Sequence, residues 1–458
     1  MLHNDSGVFP QTSGHKPGEM ASRPGWVVVH DSARDFYQLP LALAEGGSLE
    51  RFVTDWYTPL EKPVWSRLAK SRLARSTLGI HSRYRAELPS ALVTDQKLNF
   101  ISSLAVRRFL RRPYRDEIEG AKAGRLARKI ALRAGAPLLA TSYSAAAAFR
   151  GFGNGLKVLF QVHPHPRSLR RLYAEMMSRD PDYAGLGAEP EASAAETALR
   201  VWEEESSLAD HVLCASQFSR RSLLAAGIRD ERISVIPYGV DSKLFRFGRP
   251  EKDAPFTVLF VGQKVARKGL RSLVRAWSEL GLGSARLILA GGHVRDQSLL
   301  SGFEGAYQEV PRTSLQELVE LYRRADLFVL PSAAEGFGHV YLEALSCGTP
   351  ILCTENTGGA DIIREGHSGW VLPVGDREPL KERLAWCATH RSILREMREE
   401  ARRVAERHTW EKFRGGIRGA LSQVRLENAA SQSRRSSTGE IPSSGAFWVK
   451  QRAAGGEQ

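Results

Sequence analysis

The sequence predicts an α/β protein made of two doubly wound domains in tandem, with a ligand cleft between them. Short, wholly apolar runs alternate with helical stretches, as parallel strands covered on both faces require. The alternation occurs twice, and a polar Gly/Pro stretch, "GRPEKDAPF" (248–256), separates the two series. At 458 residues the chain is long enough for two or three ordinary domains with a sizeable core.

In the first series, "WVVVH" (26–30) reads as a buried strand and "RFVTDW" (51–56) as the next. "PLLATS" (137–142), "KVLFQVH" (157–163), "HVLCAS" (211–216) and "RISVIP" (232–237) follow. A long helical region, about 167 to 208, is expected before the strand at 211. The second series reads "FTVLFVG" (256–262), "ARLILAGG" (285–292), "DLFVLPS" (326–332), "PILCTE" (350–355) and "GWVLPV" (369–374). Helices fit at 268–281, 315–324, 338–347 and 376–389. In such sheets a ligand binds outside the carboxyl ends of the strands. The ends of the chain, residues 1–24 and 427–458, are rich in Gly, Ser, Pro, Arg and Gln and are expected to be disordered.

Composition narrows the function. No apolar run approaches the ~18 residues that span a bilayer, and the first 24 residues lack the apolar core of a signal peptide. A cytoplasmic protein is expected. The four cysteines form no CxxC pair and read as buried thiols rather than metal or redox groups. The formal net charge of +14 favours polyanionic partners. Ten of the cations fall in 106–133, against three acids. That stretch reads as a solvated helical face or as a contact to an anionic membrane surface. It lacks the interleaved aromatics of a nucleic-acid platform, so no nucleic acid is expected.

Candidate site residues cluster at strand ends. After "DLFVLPS" come Glu335, the turn Gly336-Phe337-Gly338 and an apolar helix carrying Glu343. The start of that helix favours an anion, and glycine permits close approach of a phosphate. Glu343 would stand about 8–10 Å further along the axis, too far for both acids to act on one atom. The pair suits either two ends of a long ligand or a plain charged helix face. In "VGQKVARKGLRSLVRAW" (261–277), Lys264, Arg267 and Lys268 precede a helix and suit a diphosphate clamp or a solvated cap. The dinucleotide spacing GxGxxG is missing there. His163 ends a first-series strand, where it could reach a cleft ligand or simply be a satisfied polar residue.

Taken in order, these segments resemble the retaining, nucleotide-sugar-dependent glycosyltransferases of the GT-B fold, the family 4 type (glycosyl transferases group 1). The resemblance rests on "EGFGHVYLE" with its trailing "ALSCGTPIL", on "RISVIPYGVDSKLF" (232–245), and on "ADHVLCASQFSRRSLLAAGI" (209–228). "GWVLPVGD" (369–376) and "HTWEKF" (408–413) extend it. It implies two Rossmann-like domains facing a cleft: an acceptor-side domain over 25–247, a nucleotide-sugar domain over 248–406, and a helix over 407–426 returning to the first. It implies that Lys268 binds the donor diphosphate with help from Arg267, and that Glu343 holds the ribose hydroxyls. Glu335 and His163 would reach the donor sugar, so that Glu335, His163 and Lys268 form the catalytic set. The amides near Phe337, Gly338 and His339 would sit by the diphosphate.

The sequence also departs from the family pattern. Gln263 stands where arginine is common, and His339 where an aliphatic residue is usual. The implied activity is hexosyl transfer from a nucleoside-diphosphate sugar to a hydroxyl of a glycan, polysaccharide precursor or lipid-linked sugar, with no metal and no other cofactor. A hydrolase, epimerase or phosphorylase of the same fold, or a non-catalytic sugar-nucleotide binder, is the alternative. A cytoplasmic enzyme is implied, with peripheral contact to the inner face of the membrane as a further expectation.

Overall fold

A computed structural model of the chain describes residues 24–30, 33, 35–69, 83–96, 116–292 and 296–438. The first 23 residues, the positions after 438 and residues 106–115 of the basic stretch lie outside the described residues.

Among the described residues two parallel sheets form. The first holds β1 (Trp26–Val29), β2 (Leu49–Thr54), β3 (Val93–Asp95), β4 (Leu138–Thr141), β5 (Lys157–Gln161), β6 (His211–Cys214) and β7 (Ile233–Val235). The second holds β8 (Thr257–Val261), β9 (Arg286–Ala290), β10 (Gln308–Val310), β11 (Leu327–Leu330), β12 (Ile351–Thr354) and β13 (Gly369–Leu372). Their orders are β3-β2-β1-β4-β5-β6-β7 and β10-β9-β8-β11-β12-β13. Central strands are apolar because helices cover both faces: Val27, Val28, Val258, Leu259 and Phe328 are fully buried. Burying each such side chain contributes roughly 1.5–3 kcal/mol. In each order the winding reverses beside the first strand, between β1 and β4 and between β8 and β11. Crevices for ligands open at such points, outside the carboxyl ends.

Two strands were not read from the sequence. β3 and β10 are three residues long, sit at sheet edges and are at most half-buried, so they carry no apolar run. The expected continuous helix over 167–208 is also corrected. It is a helix Pro166–Arg179, a 3₁₀ stretch Pro181–Ala188, a turn Pro190–Ser193 and a second helix Glu196–Leu208. Pro181 and Pro190 account for the breaks, since proline lacks the amide donor and its ring clashes with the preceding turn. At the other end, the helix that begins at Trp410 runs on to Thr438, past residue 426 and into the stretch expected to be disordered.

The chain crosses between the domains twice, and the crossings touch. Val240 pairs with Thr409, and the Val240 amide donates to the His408 carbonyl at 3.0 Å. Gly239 is required there, because a Cβ would stand 2.3 Å from the Thr409 and Trp410 backbone. The last helix then lies against the first domain, where Arg414 pairs with Glu45 at 2.8 Å and donates to Gln38. Tyr238, Phe337, Trp410 and Phe413 link the two cores through ring contacts of 5.2–6.0 Å. No helix of the described residues is long and apolar enough to cross a membrane.

Candidate active site between the two sheets

A cavity of about 860 Å³ opens between the carboxyl ends of the sheets. Its second-domain wall follows β8 and β11. After β8 the chain turns at Gly262 and forms a short 3₁₀ turn, Ala266–Lys268. Gly269 then starts the helix Leu270–Leu280 at φ 67. It must be glycine for a second reason: a Cβ would meet the Pro331 carbonyl oxygen at 2.0 Å. The close approach of these two loops brings Arg267 and Lys268 against Glu335, which follows β11.

Glu335 pairs with Arg267 at 2.6 Å and with Lys268 at 2.5 Å. All three are largely buried. Burial by itself would raise the Glu335 carboxyl, but Arg267 and Lys268 outweigh it and hold the group down at about 2. Glu335 is therefore a carboxylate at any ordinary pH and is not available as a general acid. Burial pulls Lys268 below the ordinary lysine value, against the opposing pull of Glu335. Burial also acts to lower Arg267, but Glu335, Tyr173 and Glu189 outweigh it and raise the group. Arg267 further pairs with Glu189 of the first domain at 3.4 Å.

The sequence-derived residues divide on this geometry. His163, Arg267, Lys268 and His339 line the cavity, as do Gln263 and Lys264. Lys264 is engaged by Glu309 at 2.6 Å. Glu335 stands behind the cations as their shared counter-charge. Phe337 is buried against Tyr238, and its carbonyl accepts from the Gly358 amide at 2.9 Å. Gly338 precedes the helix His339–Ser346 at φ 92. His339 joins an aromatic stack, 4.3 Å from Tyr238 and 5.6 Å from Trp410, which explains a ring where an aliphatic side chain was expected. Burial drops its imidazole to about 4, so it is neutral. Glu343 is not among the side chains of the cavity wall; it accepts from the Tyr322 hydroxyl at 2.8 Å. Burial pushes its carboxyl up to about 7, with partial relief from that hydrogen bond.

Apart from His163, the first-domain wall was missed by sequence reasoning. Tyr143, Tyr173, Glu189, Glu191 and Trp202 line it. Tyr143 follows β4 in a left-handed conformation, φ 72, that costs a non-glycine residue energy. Buried Glu205 compensates, accepting from the amides of Tyr143, Ala145 and Ala146. The broken segment 181–193 supplies the two glutamates and docks on the second domain. Its Asp182 is ringed by Arg271 at 3.1 Å, Arg275 at 2.7 Å and Arg377 at 3.6 Å. Pro181, Gly185, Gly187 and Pro190 were the available signal that this stretch is a shaped loop.

The walls meet at Gly336. A Cβ there would lie 1.9 Å from the Val162 carbonyl oxygen, and the Gly336 carbonyl accepts from the Ser219 hydroxyl at 3.3 Å. The four cysteines are buried and free, and burial pushes their thiols up to about 12, in keeping with a packing role.

Two tandem Rossmann-like domains, with a cation-lined cleft between their carboxyl ends, define the fold class, GT-B. Family models agree. "Glycosyl transferases group 1" matches residues 241–404 and "Glycosyltransferase Family 4" matches residues 94–244. The chain belongs to these GT-B, family 4-like glycosyltransferases. An uncharacterized glycosyltransferase of Methanocaldococcus jannaschii is 26% identical over 220 residues, covering 47% of this chain and 60% of its own. The D-inositol 3-phosphate glycosyltransferase of Acidothermus cellulolyticus is 33% identical over 170 residues, covering 32% of this chain and 38% of its own. The chain thus spans less than two thirds of either relative. In fold it is similar to sucrose-phosphate synthase from Thermosynechococcus elongatus, with a TM-score of 0.61 and 18% identity over 88% of this chain and 100% of that one. It is also similar to Anabaena HepE, solved with UDP, with a TM-score of 0.54 and 16% identity over 87% of this chain and 100% of the other.

Proposed function

We infer that the protein moves a hexosyl group from a nucleoside-diphosphate sugar to an acceptor hydroxyl with retention of anomeric configuration. The acceptor class is a glycan, a polysaccharide precursor or a lipid-linked sugar. One observation carries this reading: Arg267 and Lys268 face the interdomain cavity from the carboxyl end of β8, held together by a single carboxylate. Both cations are largely buried, so a diphosphate that reaches them interacts more strongly than it would in bulk water.

In the reaction the bond from the anomeric carbon to the diphosphate breaks and a bond from that carbon to the acceptor oxygen forms on the same face. The acceptor proton passes to the departing diphosphate oxygen. Lys268 and Arg267 take up the charge that develops there. Glu335 holds both cations in register and accepts from donor-sugar hydroxyls, together with His163. Glu343, which accepts from the Tyr322 hydroxyl in this structure, would turn to the ribose when the donor binds, and the backbone at Phe337, Gly338 and His339 lies by the diphosphate. The cations do the work a metal does elsewhere, so transfer proceeds with chelator present. The enzyme works in the cytoplasm, in peripheral contact with the anionic inner membrane face through the basic stretch 106–133.

The deciding experiment is calorimetry of UDP and GDP binding to the wild type and to Lys268→Ala. The variant is expected to bind the preferred nucleotide at least tenfold more weakly, as losing a buried charge-assisted contact implies. Unchanged binding removes the role assigned to Lys268.

A further inference from the structure

The first-domain wall has its own chemistry. Tyr173 is fully buried and lines the cavity, yet its hydroxyl has no hydrogen-bond partner. Few buried hydroxyls are left so, because each unmet one costs about 1–3 kcal/mol. The hydroxyl lies within the electrostatic reach of Arg267, Glu191 and Glu189. Glu191 is buried and accepts from the Tyr143 hydroxyl at 3.3 Å. Tyr143 stands edge-on to Trp202, with ring centroids 5.6 Å apart, and Glu205 holds its backbone in place.

We propose that Tyr173, Glu189, Glu191, Tyr143 and Trp202 form the acceptor subsite, and that it takes an uncharged polyol, a sugar or cyclitol without phosphate. The proposal rests on the transferase reading above. The second-domain wall supplies the cations for the donor diphosphate, and apart from His163 the opposite wall is left for the acceptor. That wall offers an unmet hydroxyl and two carboxylates, which suit the many O–H donors of a polyol. Its aromatic rings suit the apolar face of a sugar ring. A phosphate on the acceptor would face the Glu189 carboxylate and Glu191, whose carboxyl burial pushes up, and would find no unshared cation among the described residues of that wall. Arg267, the neighbouring cation, is already shared between Glu335 and Glu189.

The test uses the full chain with its preferred nucleotide sugar. Methyl glucoside, methyl mannoside and myo-inositol are compared with glucose 6-phosphate, mannose 6-phosphate and inositol 3-phosphate. At least one neutral acceptor is expected to exceed its phosphorylated counterpart by tenfold or more in kcat/KM. Tyr173→Phe, which keeps the ring, is expected to raise the acceptor KM about five- to tenfold. Calorimetric binding of the nucleoside diphosphate should not change. Glu191→Gln is expected to narrow the discrimination against the phosphates. Preference for a phosphorylated acceptor, or an acceptor KM unmoved by Tyr173→Phe, overturns the subsite while the transferase reading stands. A wild type that binds neither UDP nor GDP and transfers no sugar overturns both.

Discussion

The two walls of the cleft are built on opposite principles. The second-domain wall packs two cations on one carboxylate at 2.5–2.6 Å, on loops that leave adjacent strands at a reversal of the winding. The first-domain wall is mainly aromatic and acidic and comes from separate stretches at residues 143, 163–173, 185–191 and 202. One wall concentrates positive charge for a ligand with a fixed anionic group. The other spreads hydroxyls, carboxylates and rings over a broad face, which suits a ligand recognised by shape and many weak hydrogen bonds. On the proposal above, a single cavity holds two chemically unlike substrates without either occupying the other's place.

The contrast depends on the walls being pressed together, so the largest effect is expected where they touch. Gly336→Ala places a methyl group 1.9 Å from the Val162 carbonyl oxygen and forces the domains apart. A displacement of about 1 Å between reacting groups costs on the order of 10²-fold in rate. Transfer, measured as kcat/KM, is expected to fall by that order while nucleotide binding to the second wall persists. A fully active variant would show that the contact is dispensable.

A smaller effect should follow from loosening one wall alone. Asp182 is the anchor that ties the first-domain segment to Arg271, Arg275 and Arg377. Removing a buried acid strands its partners, at about 3–5 kcal/mol in fully buried pairs. These arginines are partly exposed, so Asp182→Asn should cost roughly 2–3 kcal/mol in chemical denaturation. Acceptor KM should rise more than donor KM, because Glu189 and Glu191 ride on that segment. Equal changes in both would remove the distinction between the walls.

The smallest effect concerns Glu343, away from both walls. Its folded value of about 7 lies above the ordinary 4.5, so between those values the folded state holds more protons than the unfolded. The stability it contributes is full below about 4.5 and is lost as pH rises through about 7. Glu343→Gln removes this titration. Between pH 5 and pH 8 the melting temperature of the variant should gain on that of the wild type, and a constant difference would contradict the assigned environment.

The second wall was legible because its residues are close in sequence to strand ends that announce themselves. "DLFVLPS" before Glu335 and "FTVLFVG" before Lys268 are buried strands, and a residue just past such a strand must face the crevice. The mutual pairing of Glu335 with Arg267 and Lys268 was not legible, since 67 and 68 positions separate them and only adjacency of β8 and β11 joins the loops. Helix geometry left Glu335 and Glu343 as grips on two ends of one ligand or as a plain charged face, and the neighbouring motifs decided for the grips. Tertiary packing adds two cations at Glu335 and a tyrosine hydroxyl at Glu343, which helix geometry does not show.

The apolar runs and the polar break between them were enough to determine two doubly wound sheets, because strands covered on both faces have no choice but to be apolar. The order of strands, the short edge strands β3 and β10, and the first wall of the cleft were decided only in three dimensions. A polar residue such as Glu191 or Tyr173 lies in a stretch with no local period to mark it. Its place in the cleft comes from where the proline-broken segment 181–193 lands on the other domain. Local pattern specifies which residues are buried, but only the packing of distant segments specifies which of the remainder face one another.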